Sequence, residues 1–181
     1  MAQVTLKGTP IHTSGFLPTV GQACPDFTLT RVDLGELSLA DVEGKRVVLN
    51  LFPSLDTPTC AASVRIFNAR VTSVPNTTVL CISMDLPFAL KRFCGAEGIN
   101  NVVPLSAFRN AEFGAAFGLT LVDGPLRGLL ARAVVVLDEN GTIVHTELVP
   151  EIAQEPDYDA ALDIIERHHM ADPADALETT E

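Results

Sequence analysis

An α/β fold with a mixed central sheet is what this sequence predicts, and three observations carry the prediction. Two apolar runs, 46–52 and 78–83, read as buried strands. Each is followed by a segment of helical character, 60–71 and 88–94. A third run, 132–137, leads through Asp138-Glu139-Asn140-Gly141 into 142–146, and Asn-Gly between two apolar runs signals an antiparallel hairpin. Strand, helix, strand, helix, hairpin and a closing helix require a sheet with both parallel and antiparallel neighbours.

Taken in order, Val4, Leu6 and Ile11 around Gly8-Thr9-Pro10 suggest an N-terminal hairpin. A short extended piece, 27–29, follows Pro25, and 38–42 suits one helical turn before Gly44. Pro53 ends the first buried strand because proline has no N–H for the ladder. Pro58 suits the first turn of a helix, where the missing N–H costs nothing. Val64, Phe67 and Val71 then recur at helical spacing. The helix over 88–94 is expected to stop at Gly95, Val102-Val103 precede Pro104, and a short helix over 111–117 ends at Gly118. Residues 158–168 close the fold as an amphipathic helix. This order matches a thioredoxin-like fold with mixed pairing, flanking helices and an added N-terminal β-hairpin. No repeat or linker divides the chain, so 1–170 is expected to be one domain and 171–181 an acidic, mobile tail.

The pattern puts Cys60 in the first turn of a helix that follows a strand. Unpaired N–H groups and the positive end of the helix dipole lie there, and both favour thiolate over thiol. A buried cysteine is commonly just a small hydrophobe. Cys60 differs in being preceded by polar and turn-forming residues.

Charge and composition narrow the function. The 181 residues carry a net charge of −11, part of it from Asp172, Asp175, Glu178 and Glu181 in the tail. That balance argues against nucleic acid, whose phosphates need a basic face. No apolar run is long enough to span a bilayer, and residues 1–7 lack the basic start and apolar core of a signal peptide, so the expected location is cytoplasmic. A reducing cytosol argues against structural disulfides among Cys24, Cys60, Cys81 and Cys94. Their spacings also miss the zinc patterns, and the adjacent His168 and His169 diverge too far on a helix to share a metal. Cys81 and Cys24 read as packing residues.

Pro53-x-x-x-Thr57-x-x-Cys60, with Arg132 downstream in Ala131-Arg132-Ala133-Val134, resembles the active-site signature of the peroxiredoxins. The segments 50–57, 81–83, 85–89, 92–101 and 131–136 resemble one branch of them, the bacterial thiol peroxidases, which are atypical two-cysteine peroxiredoxins. The likeness spans roughly residues 4–167, and the acidic tail lies outside it. It implies reduction of hydrogen peroxide or organic hydroperoxides, without metal, flavin or haem. Cys60 would be the peroxidatic nucleophile. Arg132 would stabilise its thiolate by opposite charge and hydrogen-bond the peroxide oxygens. The Thr57 hydroxyl would reach the sulfur or the attacked oxygen, and Pro53 would shield the thiolate from water. Taken without the resemblance, Thr57 reads as a helix N-cap or turn hydroxyl, a role that can coexist with the first. Arg132 reads as a surface ion pair, which sits poorly with its place at the start of an Ala and Val run in a predicted central strand.

By the same resemblance Cys94 would be the resolving cysteine, forming an intramolecular disulfide with Cys60 that thioredoxin or a similar dithiol reductant reopens. The two stand on separate helical segments, so both are expected to unwind locally, with Gly95 and Gly98 supplying the freedom. A homodimer is also implied. Two rivals remain open. A thioredoxin-like disulfide oxidoreductase would need Cys-x-x-Cys at the helix start, where Ala61, Ala62 and Ser63 stand. A redox sensor or holdase could use the same thiol chemistry once, without turnover.

Overall fold

The computed structural model describes residues 1–170, and the expectation placed on the acidic tail at 171–181 lies outside them. The chain opens with the hairpin β1 (Gln3–Leu6) and β2 (Thr9–His12), paired antiparallel with Leu6 opposite Thr9. Its turn is Lys7-Gly8, one residue earlier than the Gly8-Thr9-Pro10 cluster suggests. Both turn residues have positive φ, 50° and 81°, which matches the right-handed twist of the strands they join.

A second hairpin, β3 (Thr28–Arg31) and β4 (Glu36–Ser38), encloses the extended piece read at 27–29. Strand β4 has only three residues, too short to show a period in sequence. The single helical turn expected before Gly44 is a 3₁₀ turn over Leu39–Val42, where Asp41 accepts a 2.7 Å hydrogen bond from the Ser38 N–H.

The main sheet has seven strands in the order β4-β3-β7-β6-β5-β8-β9. Strand β5 (Arg46–Leu51) lies parallel to β6 (Thr77–Ser83) and antiparallel to β8 (Ala133–Leu137), as a mixed sheet requires. All six residues of β5 are buried, because both faces of the sheet are covered. Val47, Leu49 and Leu51 face one core with Leu29, Phe113 and Phe117. Val48 faces the other, which holds Phe52, Val64, Phe67, Leu162 and Ile165. Alternate strand residues feeding two cores follow directly from the period of two.

Helix α1 (Pro58–Arg70) starts at the expected proline and packs Val64 and Phe67 onto the sheet. A 3₁₀ turn, Val71–Ser73, finishes it. Helix α2 (Pro87–Glu97) runs past Gly95 and ends at Gly98, whose φ of 66° makes it the left-handed cap. Gly98 rather than Gly95 takes the left-handed conformation, and its N–H and that of Ile99 (2.9 Å) both bond the Cys94 carbonyl. Glu97 in the extra turn accepts two bonds from Arg65 of α1 at 2.8 and 3.0 Å. Strand β7 (Val103–Ser106) contains Pro104, which is tolerated because β3 reaches only Leu105 and Ser106. Helix α3 (Ala111–Ala116) buries Phe113. Strand β9 (Ile143–Leu148) completes the C-terminal hairpin, and α4 (Tyr158–Met170) packs beside α1. At the Asn140-Gly141 turn only Gly141 has positive φ, 75°, and the register shifts at Val136/Leu137. That is a bulged turn rather than the two-residue type that Asn-Gly suggests. Among the described residues no helix is long and apolar enough to cross a membrane.

Candidate active site

The site forms where β5 ends. Phe52 and Pro53 are buried, and the chain then turns through 54–57 into α1. Asp85, just after β6, holds that turn from the side. Its carboxylate accepts hydrogen bonds from Ser54 Oγ (2.8 Å), the Leu55 N–H (2.7 Å) and Ser83 Oγ (2.7 Å). Thr57 occupies the N-cap position with extended backbone, φ −101° and ψ 146°. Its hydroxyl does not cap the helix. It donates to the Ser54 carbonyl at 2.9 Å, which leaves the oxygen as an acceptor only.

Cys60 is the third residue of α1 and is fully buried. Its Sγ accepts a 3.3 Å hydrogen bond from Arg132 Nη2. Strand pairing explains how residues 72 apart in sequence meet. Leu51 at the end of β5 lies opposite Ala133, so Arg132 enters β8 where the chain leaves β5 for Cys60. Arg132 is 1 % exposed, so it is not a surface ion pair. Its Nε donates to the Ile152 carbonyl at 3.0 Å, while Nη1 is buried with no partner among the described residues. A buried guanidinium with one idle donor beside a sulfur is a site for developing negative charge.

Below the sulfur, Ser63 Oγ donates to the Cys60 carbonyl at 2.8 Å and accepts from Asn50 Nδ2 at 3.1 Å. Tyr158, at the start of α4, packs edge-on against Phe67 of α1 with ring centroids 5.2 Å apart, and the Arg132 charge acts on its phenol. Burial, then a 2.9 Å bond to Glu155, pushes its phenol well above the usual range.

The other three thiols sit differently. Cys81 in β6 is 1 % exposed, and burial pushes it up to about 12 despite a 3.6 Å contact from Asn50 Nδ2. Cys24 is also pushed up to about 12, by burial and then by Asp26. It lines a cavity of about 300 Å³ with Val42, Lys45 and Asn140, at the end of β5 away from Cys60. Cys94 stands on α2, half-buried, and its burial also raises it. All four cysteines are free.

The structure thus sets Arg132 on Cys60, with Thr57 at the N-cap of the same helix and Pro53 buried where β5 ends, and leaves Cys94 on a separate helix. Sequence reasoning missed Asp85, Asn50, Ser63, Tyr158 and the Ile152 carbonyl. Asp85 alone had a local signal, an acidic residue two positions after a buried strand. Among the described residues no cluster of three or more His, Cys, Asp or Glu is placed to hold a metal.

A thioredoxin-like sheet with a helix-start thiol beneath a buried guanidinium defines a thiol-redox protein. The chain belongs to the Redoxin family, whose model matches residues 19–162. Among its relatives, the thiol peroxidases of Mycobacterium tuberculosis and Mycobacterium bovis are each 59 % identical over 162 residues, covering 90 % of this chain and 97 % of theirs. A peroxiredoxin-like protein from Aquifex aeolicus superposes with a TM-score of 0.87 at 36 % identity, covering 92 % of this chain and 97 % of its own. The thiol peroxidase from Chromobacterium violaceum, at 20 % identity, shares the fold with a TM-score of 0.84 over 93 % of this chain and 97 % of its own.

Proposed function

We propose that this chain is a cytoplasmic thiol peroxidase that reduces hydrogen peroxide and organic hydroperoxides through Cys60. The observation that carries the reading is the 3.3 Å bond from Arg132 to Cys60 Sγ with a second guanidinium nitrogen left idle. The Cys60 thiolate attacks one oxygen of the O–O bond. That bond breaks, and the departing oxygen takes the electron pair and a proton to leave as water or alcohol. Sulfur is oxidised to sulfenic acid. Arg132 Nη1 is free to hold the peroxide oxygens as charge passes to them. Thr57 Oγ1, with its proton committed to Ser54, is suited to accept the hydroperoxide O–H. Pro53 keeps water away, so these dipoles act in a low-dielectric pocket.

Resolution follows by attack of the Cys94 thiol on the Cys60 sulfenic acid, forming one disulfide and releasing water. Cys60 is sealed in the first turn of α1 while Cys94 lies on α2, so both turns must open first. Arg65–Glu97 and Arg92–Asp56 tie the two regions together at the surface and must yield in that motion. A thioredoxin-like dithiol then exchanges with the disulfide, becoming oxidised as both cysteines return to thiols. Residues 1–170 act as one domain and the protein works as a homodimer.

The test is turnover with peroxide, NADPH and a thioredoxin system. Many peroxide molecules consumed per chain support a peroxidase, whereas a sensor reacts once and stalls.

A further inference from the structure

The N-terminal hairpin carries none of the residues assigned to the chemistry, yet it is bonded to the loop that orients Arg132. The link is Glu151. Its carboxylate accepts four hydrogen bonds: from Thr5 Oγ1 at 2.6 Å, the Lys7 N–H at 2.9 Å, the Gly8 N–H at 3.1 Å and the Ala153 N–H at 3.1 Å. The Lys7-Gly8 turn, with both φ values positive, aims its two N–H groups at the same anion. Backbone bonds on either side extend the clamp, from the Thr5 N–H to Pro150 O and from the Ile152 N–H to Thr5 O, both 2.8 Å.

The clamped loop faces the site with its carbonyls. Ile152 O accepts from Arg132 Nε at 3.0 Å, and Ala153 O accepts from Thr59 Oγ1 at 3.1 Å, one residue before Cys60. Besides the sulfur, the Ile152 carbonyl is the one partner that the described bonds give the Arg132 side chain. A guanidinium is a planar fork, so fixing Nε fixes where Nη1 and Nη2 point. We infer that Glu151 is a positioning residue for the peroxidase reaction, acting through the Ile152 carbonyl to aim Arg132 at Cys60, with the hairpin as its anchor. The inference rests on the proposed function for its consequence on peroxide and on geometry alone for its consequence on the thiol.

Glu151→Gln keeps size but removes the charge and turns an amide N–H₂ toward donors. Thr5→Val removes the shortest bond, and Thr5→Ser keeps it. Asp123→Asn serves as the control. Asp123 binds the His12 N–H and Nδ1, both at 2.7 Å, and so ties down the same hairpin without touching the 150–153 loop. Two rates are read in the full-length reduced protein: alkylation of Cys60 across pH, by peptide mass spectrometry, and the first oxidation by hydrogen peroxide in stopped flow. Glu151→Gln is expected to slow the first oxidation by about tenfold, the scale of a misaligned catalytic group, and to shift the alkylation profile to higher pH. Thr5→Val should move both readouts in the same direction and Thr5→Ser should restore them. Asp123→Asn should lower thermal stability with both rates unchanged. Wild-type rates in Glu151→Gln overturn the inference, as does equal slowing in Asp123→Asn, which would mean general loosening. If Glu151→Gln does not fold, a Thr5→Val variant with wild-type rates overturns it as well. Alkylation involves no peroxide, so a wild-type chain that fails to turn over loses the peroxidase reading while the role of Glu151 is still decided.

Discussion

Replacing Arg132 with Met keeps most of the side-chain length and deletes its charge and all its donors. Opposite unit charges 3.3 Å apart attract by about 5 kcal/mol at an effective dielectric near 20. Only part of that acts on the barrier, because negative charge stays near the guanidinium as it passes from sulfur to the leaving oxygen. A residual loss of about 1.4–3 kcal/mol corresponds to a rate lower by about ten- to a hundredfold. Stability moves less. The Ile152 carbonyl loses a donor, which costs about 1–3 kcal/mol, while the fold no longer buries a cation with an idle nitrogen, an offset of similar size. The variant should therefore stay folded and be slow. Stopped-flow oxidation of the reduced variant by hydrogen peroxide measures the rate, and Cys60 alkylation at neutral pH measures the thiolate. Arg132→Lys should recover little, because one ammonium cannot copy the fork that spans Ile152 O and the sulfur. A folded Arg132→Met variant with wild-type oxidation and alkylation rates would refute the reasoning and make the residue structural.

Cys60→Ser should abolish peroxide turnover, since a hydroxyl is far less ionised than a thiol near neutral pH, whereas Cys81→Ser should remain active with some loss of stability; an inactive Cys81→Ser would mean the wrong thiol was assigned. High salt should accelerate disulfide formation after peroxide, because the exposed Arg65–Glu97 and Arg92–Asp56 pairs that resist separation of α1 and α2 are screened; a rate independent of salt in quench-flow mass spectrometry would count against that latch. Glu151 is pulled down to about 2 from 4.5 by its hydrogen bonds, so its contribution to stability is present above pH 4.5 and is lost as pH falls toward 2. Acid melts of wild type and Glu151→Gln should converge across that window, and parallel curves would contradict the assignment. Cys24 and Cys81, raised from 9.0 to about 12, stabilise the fold below pH 9 and lose that contribution as pH climbs toward 12, so both should resist alkylation at pH 8 until the chain unfolds.

The legible parts of this fold were those where local chemistry and tertiary structure agree. Pro53 and Pro58 bracket the turn into α1, and the apolar runs of β5, β6 and β8 are buried apart from the half-buried threonines that start β6. What escaped was decided at a distance. Gly95 looks like a helix stop, yet α2 runs on to Glu97, which meets Arg65 of α1, and caps at Gly98. Pro104 sits in a strand because its neighbour β3 stops short of it. Strand β4 is too short to declare itself. At the site, helix-start position marked Cys60 from local pattern alone. Arg132 came only through family resemblance, since nothing near 132 reports a sulfur 72 residues away. The Ile152 carbonyl is a backbone group and leaves no trace in residue type, and Glu151 resembles any other acidic residue in a loop.

The central claim is that Cys60 is oxidised by peroxide and resolved by Cys94 of the same chain. Reduced protein treated with one equivalent of hydrogen peroxide, then run on a non-reducing gel and mapped by mass spectrometry, tests it directly. The account predicts a monomeric band and a disulfide joining the Cys60 and Cys94 peptides. Amide-exchange protection should fall around both residues, while the strand at Val79 and Leu80 stays protected. In Cys94→Ser, Cys60 should still be oxidised to sulfenic acid with no disulfide formed. Covalent dimers as the main oxidised product, or an oxidised chain whose Cys60 remains a free thiol, would contradict it.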